Sequence, residues 1–413
     1  MKKRTFRLIC CLLACLLFLS GCSVGSGDEV RRKSEETTSI KDVDPENLDK
    51  ITMESLVSRV VEEMTLEQKI GQLFIVNTDS LDFDAETTMT KKMKERIRTY
   101  HPGGVIFFSF NLEDKKQTRK FIRKMQKNAS LPMFIAVDEE GGAVARVANT
   151  EGMGTTKFPN MAEVGKTGDA ARAYEVGDTI GREISALGFN LNFAPVADLS
   201  TNEDNTEIGE RSFGSDAALA SGMVSQVVEG LQSNGVSATL KHFPGQGDSG
   251  EDTHKGYVNL DVTIDRLRGV EFKPFEAGIR AGADFVMMSH VSVRSVTQNE
   301  VPASLSPLMV HDILRQELQY DHVIITDAMN MKIITKFYDS GQAAVMAIEA
   351  GNDMILMPDD FVAACEAVAE AVEDGTLSEK RINRSVARIV ETKIRRGILP
   401  LDSPLFAGIW QQP

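Results

Sequence analysis

Short apolar runs alternate with longer amphipathic segments along most of the chain, beginning near residue 71. The runs are rich in β-branched residues and have the length of buried strands. The segments between them place apolar residues at helical spacing, as at 170–187, 217–234 and 264–281, and a last helix is predicted around 382–394. Eight strands are predicted in this way, at 71–76, 104–108, 133–138, 190–197, 236–241, 284–290, 322–327 and 353–357.

Eight strand–helix units in about 350 residues predict a (β/α)8 TIM barrel of the α/β class, in a single domain. A doubly wound open sheet is the alternative, and no second large domain fits the length of 413 residues. Thr65 and Gln68 have the spacing of a capping box for a helix before the first strand. The barrel domain is predicted to span 51–400, with a C-terminal tail at 401–413.

Ionisable residues stand at the ends of five of the predicted strands. They are Asp138, Asp198, the pair Lys241 and His242, His290, and Asp327. The carboxyl ends of the strands surround one mouth of a parallel barrel, where active sites are built. We therefore expect one polar site at this mouth, with Asp198 and His290 in supporting or structural positions.

The segment 241–254 carries a high density of polar residues directly after an apolar run at 236–240. It begins with Lys241 and His242 and ends with Asp252 and His254, and glycines separate the two pairs. Such residues are unfavourable in a packed core, because each must be paired or solvated when buried. The segment is predicted to be a catalytic loop that leaves a buried strand.

The N-terminus has the pattern of a targeting segment. Four cations within the first seven residues precede an apolar run at 8–19 that is too short to span a bilayer comfortably. The run ends in LSGC at 19–22, which resembles the lipobox of bacterial lipoproteins. The resemblance implies that a signal peptide, 1–21, is removed and that Cys22 carries a lipid anchor, which places the protein outside the cytoplasm on the cell membrane. An ordinary secretory signal or an uncleaved anchor is the alternative, and the polar composition of 22–50 predicts a flexible tether.

Composition narrows the function classes. The net charge is −14; the first 21 residues hold four of the 46 cations and no acids, so the rest of the chain has 42 − 60 = −18. Nucleic acid demands a basic face and is therefore not an expected partner. The sequence lacks the His-x3-His, Cys-x2-Cys and His-Glu-x2-His spacings of metal sites, and Gly245-Gln246-Gly247 lacks the third glycine of a dinucleotide-binding turn. No metal or cofactor is expected, and the oligomeric state stays open. Of the five cysteines, three lie in the predicted signal peptide and Cys22 is the predicted lipid site, so only Cys365 belongs to the barrel domain, where it is predicted to pack on a helix as a small apolar residue.

Glycoside hydrolysis is the reaction that fits the polar residues expected at the barrel mouth. The reaction needs one carboxylate near the anomeric carbon and one acid that protonates the leaving oxygen. Asp327 is the nucleophile candidate, because the strand 322–327 delivers it stiffly to the mouth. Asp252 stands two residues before His254 and can orient its imidazole and stabilise the protonated form, so this pair is the candidate for proton transfer.

Several longer motifs resemble glycoside hydrolase family 3, and within it the bacterial β-N-acetylglucosaminidases of the NagZ type. They are NFAPVAD at 192–198, GERSFG at 209–214, KHFPG at 241–245, DTH at 252–254, PASLS at 302–306 and ITDAM at 325–329. The resemblance implies a TIM barrel and a retaining double displacement on terminal β-linked N-acetylglucosamine (GlcNAc). It assigns Asp327 as nucleophile, His254 as general acid/base and Asp252 as its partner. It further implies that the sugar is bound by Asp138, Arg146, Arg211, Lys241 and His242.

Two stretches depart from the family pattern. Gln246 stands where the family often has His, and 139–143 reads EEGGA where Gln-Glu-Gly-Gly-Arg is common. We expect the additional acid and the missing arginine to alter the rim around the sugar. Two of the implied sugar-binding residues also have a structural alternative: Arg211 as a partner of Glu210 or Asp198, and Arg146 in a helix salt bridge.

The sequence thus predicts a membrane-anchored exo-β-N-acetylglucosaminidase that releases GlcNAc from cell-wall glycan fragments or muropeptides. A β-N-acetylglucosaminide phosphorylase that uses the same Asp327 and Asp252–His254 pair is the first alternative. A lipoprotein that holds glycans without cleaving them is the second.

Overall fold

A closed barrel of eight parallel strands forms the centre of the fold. The computed structural model describes residues 48–250 and 258–406. The strands are β1 Phe74–Asn77, β2 Gly104–Phe107, β3 Phe134–Val137, β4 Glu139–Gly141, β5 Val144–Ala145, β6 Leu191–Asn192, β7 Ser237–Phe243, β8 Phe285–Met288, β9 Val323–Ala328 and β10 Met354–Leu356. The barrel order is β1-β10-β9-β8-β7-β6-β3-β2, and β4 and β5 form a separate antiparallel hairpin. The predicted (β/α)8 TIM barrel is confirmed.

The helices surround the barrel in the predicted alternation. They are α1 Lys50–Glu63, α2 Leu66–Gln72, α3 Thr78–Leu81, α4 Lys91–Tyr100, α5 Lys115–Gln126, α6 Met161–Lys166, α7 Ala170–Ser185, α8 Ala217–Gln232, α9 Ile264–Arg266, α10 Phe272–Arg280, α11 Arg294–Thr297, α12 Lys332–Thr335, α13 Ser340–Ala350, α14 Phe361–Glu373 and α15 Glu379–Arg395. Short 3₁₀ turns lie at Ser109–Asn111, Gly209–Arg211, Ala303–Leu305 and Pro404–Phe406, and π-helical turns at Leu267–Glu271 and Leu308–Glu317. The capping box of Thr65 and Gln68 at α2 is confirmed. No helix of the described residues is long and apolar enough to cross a bilayer.

Two strand boundaries differ from the predicted ones for identifiable reasons. The first strand begins at Phe74, because 71–72 still belong to α2. The predicted strand 190–197 keeps only two residues of regular pairing. Pro195 has no N–H to donate, so the chain after β6 follows β7 through irregular bonds, including Lys241 N to the Pro195 carbonyl at 3.3 Å.

The end of the barrel opposite the mouth is closed by α15. Its Lys393 is fully buried, and Nζ donates to Gln72 Oε1 at 2.6 Å and to the Gly103 carbonyl at 3.1 Å. The ammonium also lies 5.0 Å from the ring centroid of Phe134. Burial lowers the pKa of Lys393 to about 7. On the neighbouring α14, Cys365 is buried as predicted, and burial raises the pKa of its thiol.

Candidate active site

The carboxyl ends of the barrel strands surround a cavity of about 330 Å³. Six of the residues expected at the site line it: Asp138, Arg146, Arg211, Lys241, His242 and Asp327. The predicted proton-transfer pair, Asp252 and His254, lies outside the described residues, as does Cys22. The strand-end argument therefore places the expected polar groups around one space, although they are as far as 189 residues apart along the chain.

Lys241 is the central cation of the cavity floor. Its side chain is 3% exposed, and Nζ donates to Asp138 Oδ1 at 2.8 Å and lies 2.7 Å from Glu140 Oε1. Burial alone would lower the pKa of Lys241, but the two carboxylates outweigh it and raise that pKa above its ordinary value. Lys241 is therefore a fixed ammonium, and Asp138 retains acceptor capacity for sugar hydroxyls.

Glu140 joins Lys241 to Arg211 and completes a buried ion network. Arg211 Nε and Nη2 donate to the two Glu140 oxygens at 2.9 and 2.8 Å, and Nη1 donates to the Glu207 carbonyl at 3.0 Å. Burial would raise the pKa of Glu140, but the two cations lower it to about 2. Arg211 thus pairs with Glu140, and the alternatives of pairing with Glu210 or Asp198 do not describe its hydrogen bonds.

Arg146 approaches the same cluster from the segment after β5. Its Nη2 lies 4.0 Å from Asp138 Oδ2, and its Cζ lies 5.9 Å from the ring centroid of Phe108. The side chain is 33% exposed and lines the cavity, so the alternative of a helix salt bridge does not describe it. Arg146 can donate to a ligand while its stem rests on Phe108.

His242 is held by Asp198 from behind the cavity. Asp198 Oδ2 accepts from the backbone N–H of His242 at 3.0 Å and lies 2.7 Å from its Nδ1. The other oxygen, Oδ1, accepts from the backbone N–H of Gln246 at 2.8 Å. Asp198 is completely buried, so it positions the imidazole and does not contact a ligand.

Gln246, one of the departures from the family pattern, is buried under the loop. Its Nε2 donates to Glu207 Oε1 at 3.1 Å, and its Oε1 accepts from Ser289 Oγ at 2.6 Å. Its carbonyl accepts from Asn205 Nδ2 at 2.8 Å. A Cβ at the next residue, Gly247, would lie 1.8 Å from the Leu199 carbonyl oxygen, so only glycine fits there. Gln246 therefore fixes the chain directly after β7 and is not among the residues that line the cavity.

Glu139, the additional acid of the second departure, also points away from the cavity. Its Oε2 accepts from the backbone N–H of Val147 at 2.7 Å, and its Oε1 from that of Ala148 at 2.9 Å. Burial raises the pKa of Glu139 to about 7, against the lowering effect of these two donors and of Arg146. Glu139 is therefore not among the residues that line the cavity, and its carboxylate supports the turn behind Arg146.

Asp327 lies near the end of β9, at the same cavity. It is partly exposed and lines the cavity, and its Oδ1 accepts from the backbone N–H of Ala328 at 2.7 Å. The buried His290 lies beside it, with Nε2 at 3.1 Å from the Ala328 carbonyl and Nδ1 at 2.8 Å from Ser304 Oγ. Burial lowers the pKa of His290. A neutral ring that donates through Nε2 satisfies both contacts, so His290 has a supporting role, as expected.

Comparison with known proteins identifies the family. The glycosyl hydrolase family 3 N terminal domain matches residues 65–392. The chain belongs to glycoside hydrolase family 3. The β-hexosaminidase of Hydrogenovibrio crunogenus is 32% identical over 331 residues, which are 77% of this chain and 89% of that protein. β-Hexosaminidase A of Pseudoalteromonas piscicida is 31% identical over 352 residues, 78% of this chain and 58% of that protein.

A solved structure extends the likeness to three dimensions. The family 3 β-N-acetylglucosaminidase from Paenibacillus sp. str. FPU-7 superimposes with a TM-score of 0.77 at 40% identity, covering 81% of this chain and 63% of that one. This family 3 chain thus spans less than two thirds of two of the three relatives named here.

Two residues of this family 3 site were not singled out from the sequence. Glu140 and Glu207 both line the cavity, and Glu140 is the hub of its ion network. The only signal for Glu140 was its position two residues after a strand-end aspartate. Within 48–250 and 258–406, no three His, Cys, Asp or Glu side chains are placed to coordinate a metal ion.

Proposed function

We propose that this protein is a retaining exo-β-N-acetylglucosaminidase that releases terminal β-linked GlcNAc. The observation that carries the proposal is that Asp327, a carboxylate at a strand end, lines the same cavity as the ion-paired cluster around Lys241. The cavity volume of about 330 Å³ is at the small end of ligand sites, which suits a single terminal sugar. The names of the relatives support GlcNAc as that sugar.

The proposed first step is attack of the Asp327 carboxylate on the anomeric carbon. The bond to the leaving oxygen breaks as the new bond to Asp327 forms, and protonated His254, oriented by Asp252, gives its proton to that oxygen. In the second step neutral His254 takes a proton from water, whose oxygen attacks the same carbon and frees Asp327. Two displacements at one carbon retain its configuration.

Asp138 and Lys241 are proposed to hold the sugar during both steps. Asp138 accepts hydroxyl hydrogen bonds, while Lys241 and the guanidinium groups of Arg146 and Arg211 donate them. His242 adds a further polar contact, in the orientation that Asp198 imposes. Because the ion network holds these groups before a ligand arrives, little reorganisation accompanies binding.

Hydrolysis of p-nitrophenyl β-GlcNAc beside the matching β-glucoside tests the proposal. Asp327→Ala should abolish turnover, and His254→Ala should lower kcat by roughly 10²- to 10⁴-fold, the usual range for general acid/base catalysis. The exposed Asp402 and His311 offer matched controls, Asp402→Ala and His311→Ala, which should keep full activity. Absence of GlcNAc release, or equal cleavage of both glycosides, would refute the assignment.

The natural substrate and the location are proposed from the N-terminal sequence. A lipid on Cys22 would hold the enzyme at the outer face of the cell membrane, beside peptidoglycan, so we propose GlcNAc-containing cell-wall fragments or muropeptides as substrates. Digestion of muropeptides with and without phosphate separates free GlcNAc from GlcNAc-1-phosphate, the product of a phosphorylase. For the anchor, Cys22→Ser should abolish globomycin-sensitive processing in cells, and a water-soluble, unlipidated mature protein would refute it.

A further inference from the structure

A pair of stacked phenylalanines lies where β2 ends at the mouth of the barrel. Phe108 is partly buried and lines the cavity. The ring of Phe110 lies parallel to it, with the centroids 5.7 Å apart and the planes at 9°. Phe110 is 42% exposed, so the pair runs from the cavity wall towards solvent.

The turn that carries the pair is fixed by a buried asparagine. Asn111 Oδ1 accepts from the backbone N–H of Phe108 at 2.9 Å. Its Nδ2 donates to Thr78 Oγ1 and to the Glu86 carbonyl, both at 2.8 Å. The loop after β1 therefore holds the loop after β2, and the Phe110 ring is presented on a rigid support. A preorganised aromatic ring binds without losing much conformational entropy.

Arg146 links the aromatic pair to the sugar-binding cluster. Its guanidinium carbon lies 5.9 Å from the ring centroid of Phe108, and its Nη2 reaches Asp138 at 4.0 Å. Asp138, Arg146 and Phe108 thus form a path along the cavity wall, and Phe110, stacked on Phe108, continues it towards solvent. The part of a ligand that extends beyond the terminal sugar along this path would lie past Asp138 and Arg146 and against the ring of Phe110.

The chemistry of a second sugar suits such a ring. A pyranose has hydroxyls around its edge, whereas the C–H groups on its faces form small apolar surfaces. Packing one face on a phenylalanine removes apolar area from water and leaves the hydroxyls solvated.

We propose that Phe110, backed by Phe108, binds the face of the sugar on the leaving-group side of the scissile bond. This assignment rests on the proposed exo-glycosidase activity, because it requires the terminal sugar to occupy the cavity beside Asp138. It makes Phe110 a determinant of substrate length and of leaving-group preference.

The test compares two glycosides that differ only in the leaving group. Methyl β-GlcNAc carries a group too small to reach Phe110, whereas the β-1,4-linked GlcNAc disaccharide carries a sugar. Phe110→Ala in the full chain should lower kcat/KM on the disaccharide about tenfold, as expected for the loss of one aromatic contact. The same variant should change kcat/KM on the methyl glycoside less than about twofold. Phe110→Trp, which restores a flat ring, should recover most of the loss.

Two exposed phenylalanines elsewhere provide the matched controls. Phe83 is 77% and Phe337 is 61% exposed, and among the described residues neither stacks on a ring that lines the cavity, as Phe110 does on Phe108. Phe83→Ala and Phe337→Ala should leave the ratio of the two kcat/KM values unchanged. An equal loss of kcat/KM on both substrates in Phe110→Ala, or no loss on the disaccharide, would overturn the assignment of Phe110 and leave the proposed function intact. Failure of the unaltered protein to release GlcNAc from either substrate would overturn the proposed function, and this assignment with it.

Discussion

Glu139 is the residue whose replacement tests the structure most directly, because a single buried carboxylate supports the turn behind Arg146. The side chain is 3% exposed, and each of its oxygens accepts one backbone N–H, from Val147 and from Ala148. Glu139→Gln keeps the shape and removes the charge. Glutamine also restores the residue that is common in the family at this position.

The expected size of the effect comes from the pKa of Glu139. Burial raises that pKa from an ordinary 4.5 to about 7. Between these two values the folded protein holds a proton that the unfolded chain has released, so the free energy of unfolding falls as the pH rises through this interval. At 1.36 kcal/mol for each pH unit, the loss is about 3 kcal/mol, and most of it falls between pH 5 and pH 8. Glutamine does not titrate, so Glu139→Gln should lack this loss.

Urea unfolding of the unaltered protein and the variant at pH 5 and pH 8 measures the difference. The stability of Glu139→Gln relative to the unaltered protein should rise by about 2 to 3 kcal/mol between the two pH values. Glutamine leaves one of the two backbone donors without an acceptor, but that cost of about 1 kcal/mol is the same at both pH values and cancels. Glu151→Gln, at an exposed glutamate after the same turn, is the control and should show no such rise. A difference that is independent of pH would refute the buried, titrating carboxylate.

Three further outcomes follow from the buried charged side chains. Asp198→Asn should lower kcat/KM at least tenfold, because an amide cannot accept from His242 with one end and from the Gln246 N–H with the other, so the ring loses its orientation; an unchanged kcat/KM would contradict this. Arg211→Lys should lower kcat/KM about tenfold, since lysine cannot make the two parallel bonds to Glu140, and equal activity would show that this geometry is dispensable. Between pH 7 and pH 9 the unfolded chain holds a proton on Lys393 that the folded protein has released, so the free energy of unfolding rises with pH, and Lys393→Met removes this rise. In urea unfolding, the unaltered protein should therefore gain about 2 kcal/mol of stability relative to the variant between pH 7 and pH 9. Parallel pH curves would refute the lowered pKa.

The barrel and the position of its site were predictable because they depend on local pattern. A buried parallel strand needs a short apolar run, and the carboxyl end of each strand lies at one mouth whatever its length. This is why Asp138, Lys241, His242 and Asp327 line one cavity in the structure, as expected. The same reasoning predicted too long a strand at 190–197, because an apolar pattern does not take into account that Pro195 has no N–H to donate to a neighbouring strand.

The interior of the site was not predictable, because it depends on pairing across long stretches of chain. Glu140 acquires its role from Arg211, 71 residues later, and from Lys241 on β7. Glu139 carries an equally polar side chain in the adjacent position, yet it turns to the opposite side of the β4–β5 hairpin. Neighbouring residues of a strand face opposite sides, but which side meets the cavity depends on the register of the hairpin, and its polar, glycine-rich sequence does not specify that register.

Lys393 has a consequence for when the fold can be completed. Its two hydrogen-bond partners, Gln72 and Gly103, lie just before the first two strands, 321 and 290 residues earlier in the chain. The first strand likewise pairs with the last, Phe74 opposite Ile355. Until a growing chain has passed residue 356, the first strand lacks its partner β10, and until it has passed residue 393, the first two strands lack the side chain that closes their end of the barrel. The barrel therefore closes only after almost all of the protein has been synthesised, and contacts of such long range favour slow folding.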